Sequence, residues 1–342
     1  MPLDAASPPA TRRGPLYRAA CLTLAGAMLA GCVTTREQRI GADDGTDPCR
    51  QYVVALDSTG NFFAEDIIRG AAVGAVGGGL IGGIATGRWE GALTGAAIGA
   101  VVGGAGGYLA ALQRQSQDQA VLYRNVRSDM ERENLEIDRS QVAFNQLLDC
   151  RYTSAQRIRT AHRQGRLDRA TAQAQLREVQ ARMRNDVALA RTISERIRTR
   201  GAEFDTALDT LQPGARQAAV GARISQPVPA RPLSASIDLK LRPDPRSPSV
   251  GALVTRENVQ VRPATAGYVL VEGPGGLRGY APASQFSASG VNLRQASASP
   301  PPAGAQDPRQ LAAANIARRD NFQQSVEHAQ QIAAGPGFEL AS

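Results

Sequence analysis

Apolar residues recur at helical spacing through the middle of the chain. Met130, Ile137 and Phe144 fall seven residues apart, with Val126 and Leu147 on the neighbouring row. After a break over His162–Leu167 that contains Gly165, the same step resumes. It runs through Leu176, Met183, Ala190, Ile197, Phe204 and Leu211, with Val179 and Ile193 as companions. Arg, Gln and Glu cover the remaining faces. Rows of this kind predict an antiparallel helical hairpin or coiled coil over 113–211, read as a stalk. Upstream, over 64–112, the pattern is set by glycine. Gly70, Gly74, Gly78 and Gly82 stand four residues apart, and Gly87, Gly91, Gly95, Gly99, Gly103 and Gly107 continue the series after Thr86–Glu90. On a helix these form one stripe without side chains, along which a second helix can approach closely. The polar Thr86–Glu90 segment with Trp89 is the expected turn. The two arms, 70–87 and 91–113, would be about 27 Å and 34 Å long, near bilayer thickness. In water so many glycines disfavour a helix by about 1 kcal/mol each relative to alanine, so close packing or a membrane is implied.

Beyond the stalk, 212–249 holds seven prolines and reads as a linker. Residues 250–287 alternate β-branched and polar positions between Gly/Pro turns, as in a short β-meander. A second linker, 288–307, precedes a helix over 308–334 whose apolar side carries Leu311, Ile316, Phe322, Val326 and Ile332. That helix is expected to dock on the stalk or on a partner.

The amino terminus is of a different kind. Arg12, Arg13 and Arg18 precede an apolar run from Ala19 to Leu29, too short to span a bilayer and of signal-peptide length. It ends Leu29-Ala30-Gly31-Cys32, which resembles the lipobox of bacterial lipoproteins. The resemblance implies a signal peptide over 1–31, cleavage before Cys32, and acylation of that cysteine, with 32–63 as an N-terminal linker. Several acyl chains on one residue anchor stably, since each buried methylene contributes about 0.8 kcal/mol. Val33 follows the cysteine rather than the aspartate that retains many such proteins at the inner membrane. The implied place is the outer membrane, with the chain most naturally facing the periplasm.

With the lipobox, the glycine stripe resembles the glycine-zipper lipoproteins, such as the rickettsial surface-antigen family. Asn258-Val259-Gln260-Val261-Arg262-Pro263 and Gly279-Tyr280-Ala281-Pro282-Ala283-Ser284 resemble the opening and closing strands of bacterial SH3-like domains. The stretch between them is about half the usual length, and a tryptophan often found before the last strand is missing. The expected fold is therefore mainly α: a glycine-zipper hairpin, a long antiparallel helical hairpin or coiled coil, and a small C-terminal SH3-like β module. In that module Tyr268 and Tyr280 are the candidates to line an aromatic ligand groove.

Composition narrows the function. Aromatics make up 4% of the chain, against 35 glycines and 20 prolines, which favours elongated modules joined by linkers over one large core. The net charge of +8 is spread along the chain and suits an anionic envelope surface. Neither an RNA-binding aromatic signature nor Cys/His finger spacing occurs, so nucleic acid is not an expected partner. His162 and His328 have no nucleophile or metal-spaced cluster beside them, and no phosphate loop occurs. The expectation is a non-enzyme without cofactor or metal. Of the mature cysteines, Cys49 and Cys150 form an even pair suited to an oxidising compartment. An unbroken helix from Gly91 would carry Cys150 roughly 57 Å past residue 112. The extended chain from Cys49 to Ala64 reaches only about 50–54 Å. Either the helix folds back near 113–125 or the cysteines pair between chains. Three roles follow: an envelope scaffold, an adaptor whose β module binds peptidoglycan or a periplasmic protein, and a zipper-built oligomeric pore. All involve membrane lipid, and the last requires a homo-oligomer.

Overall fold

In the computed structural model the described residues are 35–64 and 107–340, less the isolated positions 222, 225, 255, 336 and 337. Leu29, Ala30, Gly31 and Cys32, and the zipper glycines from Gly70 to Gly103, lie outside them. The chain divides into two units, Met1–Ala42 and Asp43–Ser342. In the first, α1 (Arg36–Ile40) opens with a capping box: the Thr35 hydroxyl accepts from the Gln38 amide, and the Gln38 side chain accepts from the Thr35 amide.

The helices of the second unit follow the periodicity of the chain. α2 is Arg50–Ala64, α3 Gly107–Gln115, α4 Gln119–Arg163, α5 Arg169–Leu211 and α6 Ala215–Gly221. Gly107, the last of the zipper series, is the buried first residue of α3. α4 starts where the Asp118 carboxylate accepts from the Ala120 and Val121 amides. α4 ends in a Schellman motif. Gly165 takes φ +70°, its amide donates to the His162 carbonyl, and the Arg166 amide donates to the Ala161 carbonyl. Asp168 then caps α5 through the Thr171 amide at 2.9 Å. α4 and α5 run in opposite directions, since Glu133 pairs with Arg200 and Arg151 with Asp186. Val126, Met130, Ile137, Phe144 and Leu147 of α4 are buried, as are Leu176, Met183, Ala190, Ile193, Ile197 and Phe204 of α5. Val179 and Leu211 are only half-buried; Val187 and Leu208 fill the core rows instead.

The stretch expected to be a linker over 32–63 contains α2, whose Val53, Leu56 and Phe63 are buried against α4 and α5. Gly60 permits the close approach: a methyl there would lie 2.7 Å from the Ile193 δ-carbon. A second correction concerns 212–249. It holds α6 and the first strands of a seven-stranded antiparallel sheet, so proline here closes strands and turns rather than keeping the chain extended. The strands are β1 (Val228–Pro232), β2 (Ile237–Lys240), β3 (Ser249–Leu253), β4 (Val259–Pro263), β5 (Tyr268–Glu272), β6 (Arg278–Pro282) and β7 (Phe286–Ser287). Their order is β3-β2-β6-β5-β4-β1-β7. β1 serves two neighbours, pairing β4 through Val228–Ala230 and β7 through Arg231–Pro232. The β region thus runs from 228 to 287, not from 250. Its inner face has its own core, including Leu239, Val261, Val269, Val271 and Ala281.

Gly279 lets β2 and β3 close over β6. A methyl there would lie 2.8 Å from Leu239 Cβ, 2.8 Å from a Val250 methyl and 3.1 Å from the Lys240 carbonyl oxygen. Gly279→Ala is expected to lower stability by about 1–3 kcal/mol, read as a lower urea midpoint. An unchanged midpoint would show that the crossing strands yield freely.

After a short α7 (Leu293–Ala296), the segment expected to be a second linker lies against the helices. The Ala303 carbonyl accepts from Asn134 and the Pro301 carbonyl from Arg318. α8 (Pro308–Ala334) starts at an Asp307 cap and packs on α4, α5 and α6. The sheet's other face meets α8 through Arg262–Glu327 at 3.0 Å and Arg278–Gln331 at 2.5 Å. It meets α4 through the Tyr152 hydroxyl, which donates to the Ser249 carbonyl at 3.0 Å. Asp43–Ser342 is consequently one compact unit rather than modules on linkers. The low aromatic content is offset by long helices that bury Leu, Ile, Met and Ala in extended rows. Among the described residues no helix is long and apolar enough to cross a membrane.

Candidate functional site

Two polar assemblies stand out where the apolar rows are interrupted. The first fixes the start of α2 to the helical pair. Cys49 and Cys150, 101 residues apart, form a disulfide within the chain with 5.8 Å between their Cα atoms. Of the two alternatives left open by chain reach, this is the folded-back one, with the helix interrupted over Ser116–Asp118. Beside the disulfide, Arg151 is buried between two carboxylates. Its Nε donates to Asp186 at 2.6 Å and its terminal nitrogens to Asp47 at 2.5 and 2.8 Å. Burial pushes the Asp47 carboxyl up, but Arg151 and the Cys49 amide outweigh it and hold it below the usual range. At Asp186 burial prevails and the carboxyl is raised despite Arg151. Arg151 resists its own burial because both carboxylates favour the cation, and its affinity for the proton rises. Arg182 closes the outside of the group, reaching Asp47 at 3.5 Å and the Thr46 carbonyl at 3.1 Å.

The second assembly is a cleft of about 220 Å³ between α4, α8 and the outer face of the sheet. α4 contributes Ile137, Asp138, Gln141 and Asn145; α8 contributes Arg318, Asn321, Gln324 and Ser325. The loop after β2 adds Arg242–Asp244, and Tyr280 of β6 lines the sheet side. Its charges are closed on one another. Arg242 donates to both oxygens of Asp149 at 2.8 and 2.5 Å. Arg318 donates to both oxygens of Asp138 at 3.0 Å. Between these pairs Gln141 donates to Asn145 at 3.0 Å and to Ser325 at 3.2 Å. The Ser325 hydroxyl itself donates to the Asn321 carbonyl at 2.9 Å.

Tyr280 does not line an exposed aromatic groove. It is 2% exposed, its ring meets His328 edge-on at 5.1 Å, and burial pushes its hydroxyl up to about 12. Tyr268 is half-buried beside Leu270 on the same face. The groove expected from the two tyrosines is therefore corrected: that sheet face is covered by α8. His162 serves a turn, its Nδ1 lying 3.0 Å from the Leu167 carbonyl. Among the described residues no group of three or more metal-ligating side chains occurs. Sequence reasoning missed Asp47, Arg151 and Asp186, and also the carboxamides of the cleft, because polar residues on long helices read as solvated faces. The only early signal was that Arg151 adjoins a cysteine.

Comparison with protein-family models, with curated proteins and with solved structures returns no match.

Proposed function

We propose that this protein is an exported envelope lipoprotein, held to the outer membrane by lipid on Cys32, whose helix-and-sheet body acts as a periplasm-facing scaffold. The observation that carries this is the Cys49–Cys150 pairing, since structural disulfides persist in oxidising compartments such as the periplasm. The resemblance of Leu29-Ala30-Gly31-Cys32 to a lipobox supports the same compartment by an independent route. The interlocked ion pairs and the disulfide suit a rigid spacer more than a hinged one. On this reading the glycine stripe from Gly70 to Gly107 supplies a second membrane attachment or a self-association surface. The sheet with its own core supports reading the β region as an SH3-like module, extended at its amino-terminal side. The adaptor reading survives only without its exposed tyrosine groove.

Labelled palmitate added to producing cells should enter the wild-type chain and not Cys32→Ser. A wild-type chain without label, or a Cys32→Ser variant labelled as strongly as wild type, would sink the lipoprotein reading.

A further inference from the structure

Charge is placed unevenly along the helical hairpin of α4 and α5. Residues 156–177, which close α4 and open α5, hold six arginines and one acidic residue, Asp168. Arg157, Arg163, Arg166, Arg169 and Arg177 are exposed, and none has a carboxylate partner among the described residues. Arg163 donates to the Thr160 hydroxyl at 2.9 Å and Arg166 to the Gln164 side chain, both uncharged. Arg159 is half-buried and donates to the Glu339 carbonyl at 3.1 Å, so Glu339 is a second acidic residue at this end. Asp168 is turned to the start of α5, where it accepts from the Thr171 amide at 2.9 Å and hydroxyl at 2.6 Å. The register set by Glu133–Arg200 and Arg151–Asp186 brings Arg157 within a turn of Arg177 across the hairpin. From Arg157 to Arg163 the helix rises about 9 Å. That is close to the Debye length of about 8 Å at physiological ionic strength, so these cations meet an approaching surface as one patch. The far end of the hairpin has the opposite sign: residues 113–140 and 198–211 carry seven arginines against nine Asp and Glu.

The chain that leads back to Cys32 is pinned nearer the basic end. The Cys49–Cys150 disulfide and the Arg182 contact to the Thr46 hydroxyl at 2.7 Å fix it to both helices. Cys150 is thirteen residues before Arg163, and Arg182 thirteen after Arg169, about 20 Å from the tip along either helix. The fourteen residues from Cys32 to Thr46 extend to at most about 50 Å. A bilayer that holds lipid on Cys32 is therefore within reach of the tip. The glycine segment departs elsewhere. Phe63 lies beside Arg200, and the Tyr108 amide donates to Glu203 at 3.1 Å, roughly 46 Å from Arg169 along α5.

We propose that the basic tip of the hairpin, centred on Arg163, Arg166 and Arg169, docks on the anionic phospholipid headgroups of the bilayer that holds Cys32. Guanidinium matches phosphate oxygens with paired donors, and clustered basic residues are drawn to anionic bilayers. The acidic far end is repelled by the same surface and points away from it. The bilayer named here rests on the lipid-anchor reading, whereas the attraction of the tip to anionic lipid does not. Of the two roles left to the glycine stripe, this orientation leaves self-association, because the segment departs at the end turned away.

The full chain carries a nitroxide at Ala170→Cys, near the tip, or at Ala202→Cys, near the far end, both exposed positions. It is reconstituted in vesicles that bear a nickel chelate on some headgroups, and collisions between nitroxide and nickel are measured by spin resonance. For Ala170→Cys they should be about fivefold more frequent with one-third phosphatidylglycerol than with phosphatidylcholine alone, and about 0.5 M salt should erase the difference. The Ala202→Cys label should show no such rise. Arg163→Gln/Arg166→Gln/Arg169→Gln should abolish the rise at an unchanged melting temperature. Arg184→Gln/Arg191→Gln/Arg198→Gln removes as much charge from exposed sites outside the tip and should keep most of it. If Cys32 carries no lipid, the anchor reading fails separately. Anionic vesicles added to that chain should still capture the Ala170→Cys label and not the Ala202→Cys label. The proposal is overturned if the tip label responds equally to both lipid compositions, if the far label gains as much, or if the two triple variants behave alike. It is also overturned if heparin or duplex DNA, and not anionic vesicles, captures the tip.

Discussion

Arg151→Met is expected to destabilise the protein by about 3–5 kcal/mol at pH 7, the usual consequence of removing one partner from a buried ion pair. Arg151 and Asp186 are 3% and 4% exposed in their side chains, so the carboxylate left behind cannot recover its hydration. Asp47, at 14%, keeps Arg182 and the Cys49 amide as partners and suffers less. The loss has a pH signature. Asp186 already has a raised pKa from burial, and without Arg151 it rises further. A carboxyl raised in the folded state binds more protons folded than unfolded, so the stability associated with it falls as pH rises through that range. The gap between wild type and Arg151→Met should therefore narrow as pH falls from 7 toward 5. Arg151→Lys keeps the charge but cannot bridge both carboxylates with a rigid fork, and an intermediate loss is expected. In Arg151→Met/Asp186→Leu much of the deficit should return, since a packed apolar pair replaces an orphaned charge. Urea unfolding of the four proteins under non-reducing conditions measures all of this. A loss below about 1 kcal/mol for Arg151→Met would mean that water reaches Asp186.

This cluster also shows where the sequence stops being legible. The seven-residue rows of α4 and α5 identify most of the core because those helices bury one stripe, and the stripe has to be apolar. The rule fails for α8. Read as an amphipathic surface helix, it yields Leu311, Ile316, Phe322 and Val326 correctly, but it lies between the bundle and the sheet and is covered on more than one side. Its Asn315, Arg318, Gln324 and His328 are buried as well. Each of the first three has a polar partner. Asn315 donates to Asn134, Arg318 to Asp138, and Gln324 to the Pro263 carbonyl. Those partners are 61 to 181 residues distant, beyond the reach of any local pattern. Proline misleads in a related way at 212–249. Pro229 and Pro232 sit in β1, where the strand shifts from β4 to β7 and does not need every amide for one ladder. The cysteine pair was legible to within two alternatives from chain reach alone, and the break at Ser116–Asp118 selects between them.

Acidification should expose the second consequence of burying polar residues along α8: stability is expected to fall steadily as pH drops from about 6.5 toward 3, by several kcal/mol in all. His328 is 1% exposed and packed edge-on against Tyr280, with the Leu241 backbone as its hydrogen-bonding contact. Burial lowers its pKa to about 3, the Arg278 guanidinium adds to the effect, and the hydrogen bond with the Leu241 backbone opposes it without prevailing. Arg278 is itself held toward the ring by Glu272 at 3.2 Å and Gln331 at 2.5 Å, so it cannot easily swing away. In the unfolded chain the imidazole titrates near its ordinary value of about 6.5. Below that pH the unfolded state takes up a proton that the folded state refuses, and each pH unit costs about 1.4 kcal/mol until the folded-state value is reached. Above about pH 6.5 both states are neutral and this contribution is flat. His328→Leu removes the titration while keeping an apolar side chain against Tyr280. It gives up only the contact to the Leu241 backbone, so stability at pH 7 should change little. The decisive measurement is the difference in urea midpoint between wild type and His328→Leu from pH 7 to pH 4. That difference should grow in favour of the variant as pH falls, and NMR of the folded wild type should show the ring of His328 still neutral at pH 5. Parallel acid limbs in the two proteins would place the imidazole in contact with water and remove His328 as the cause.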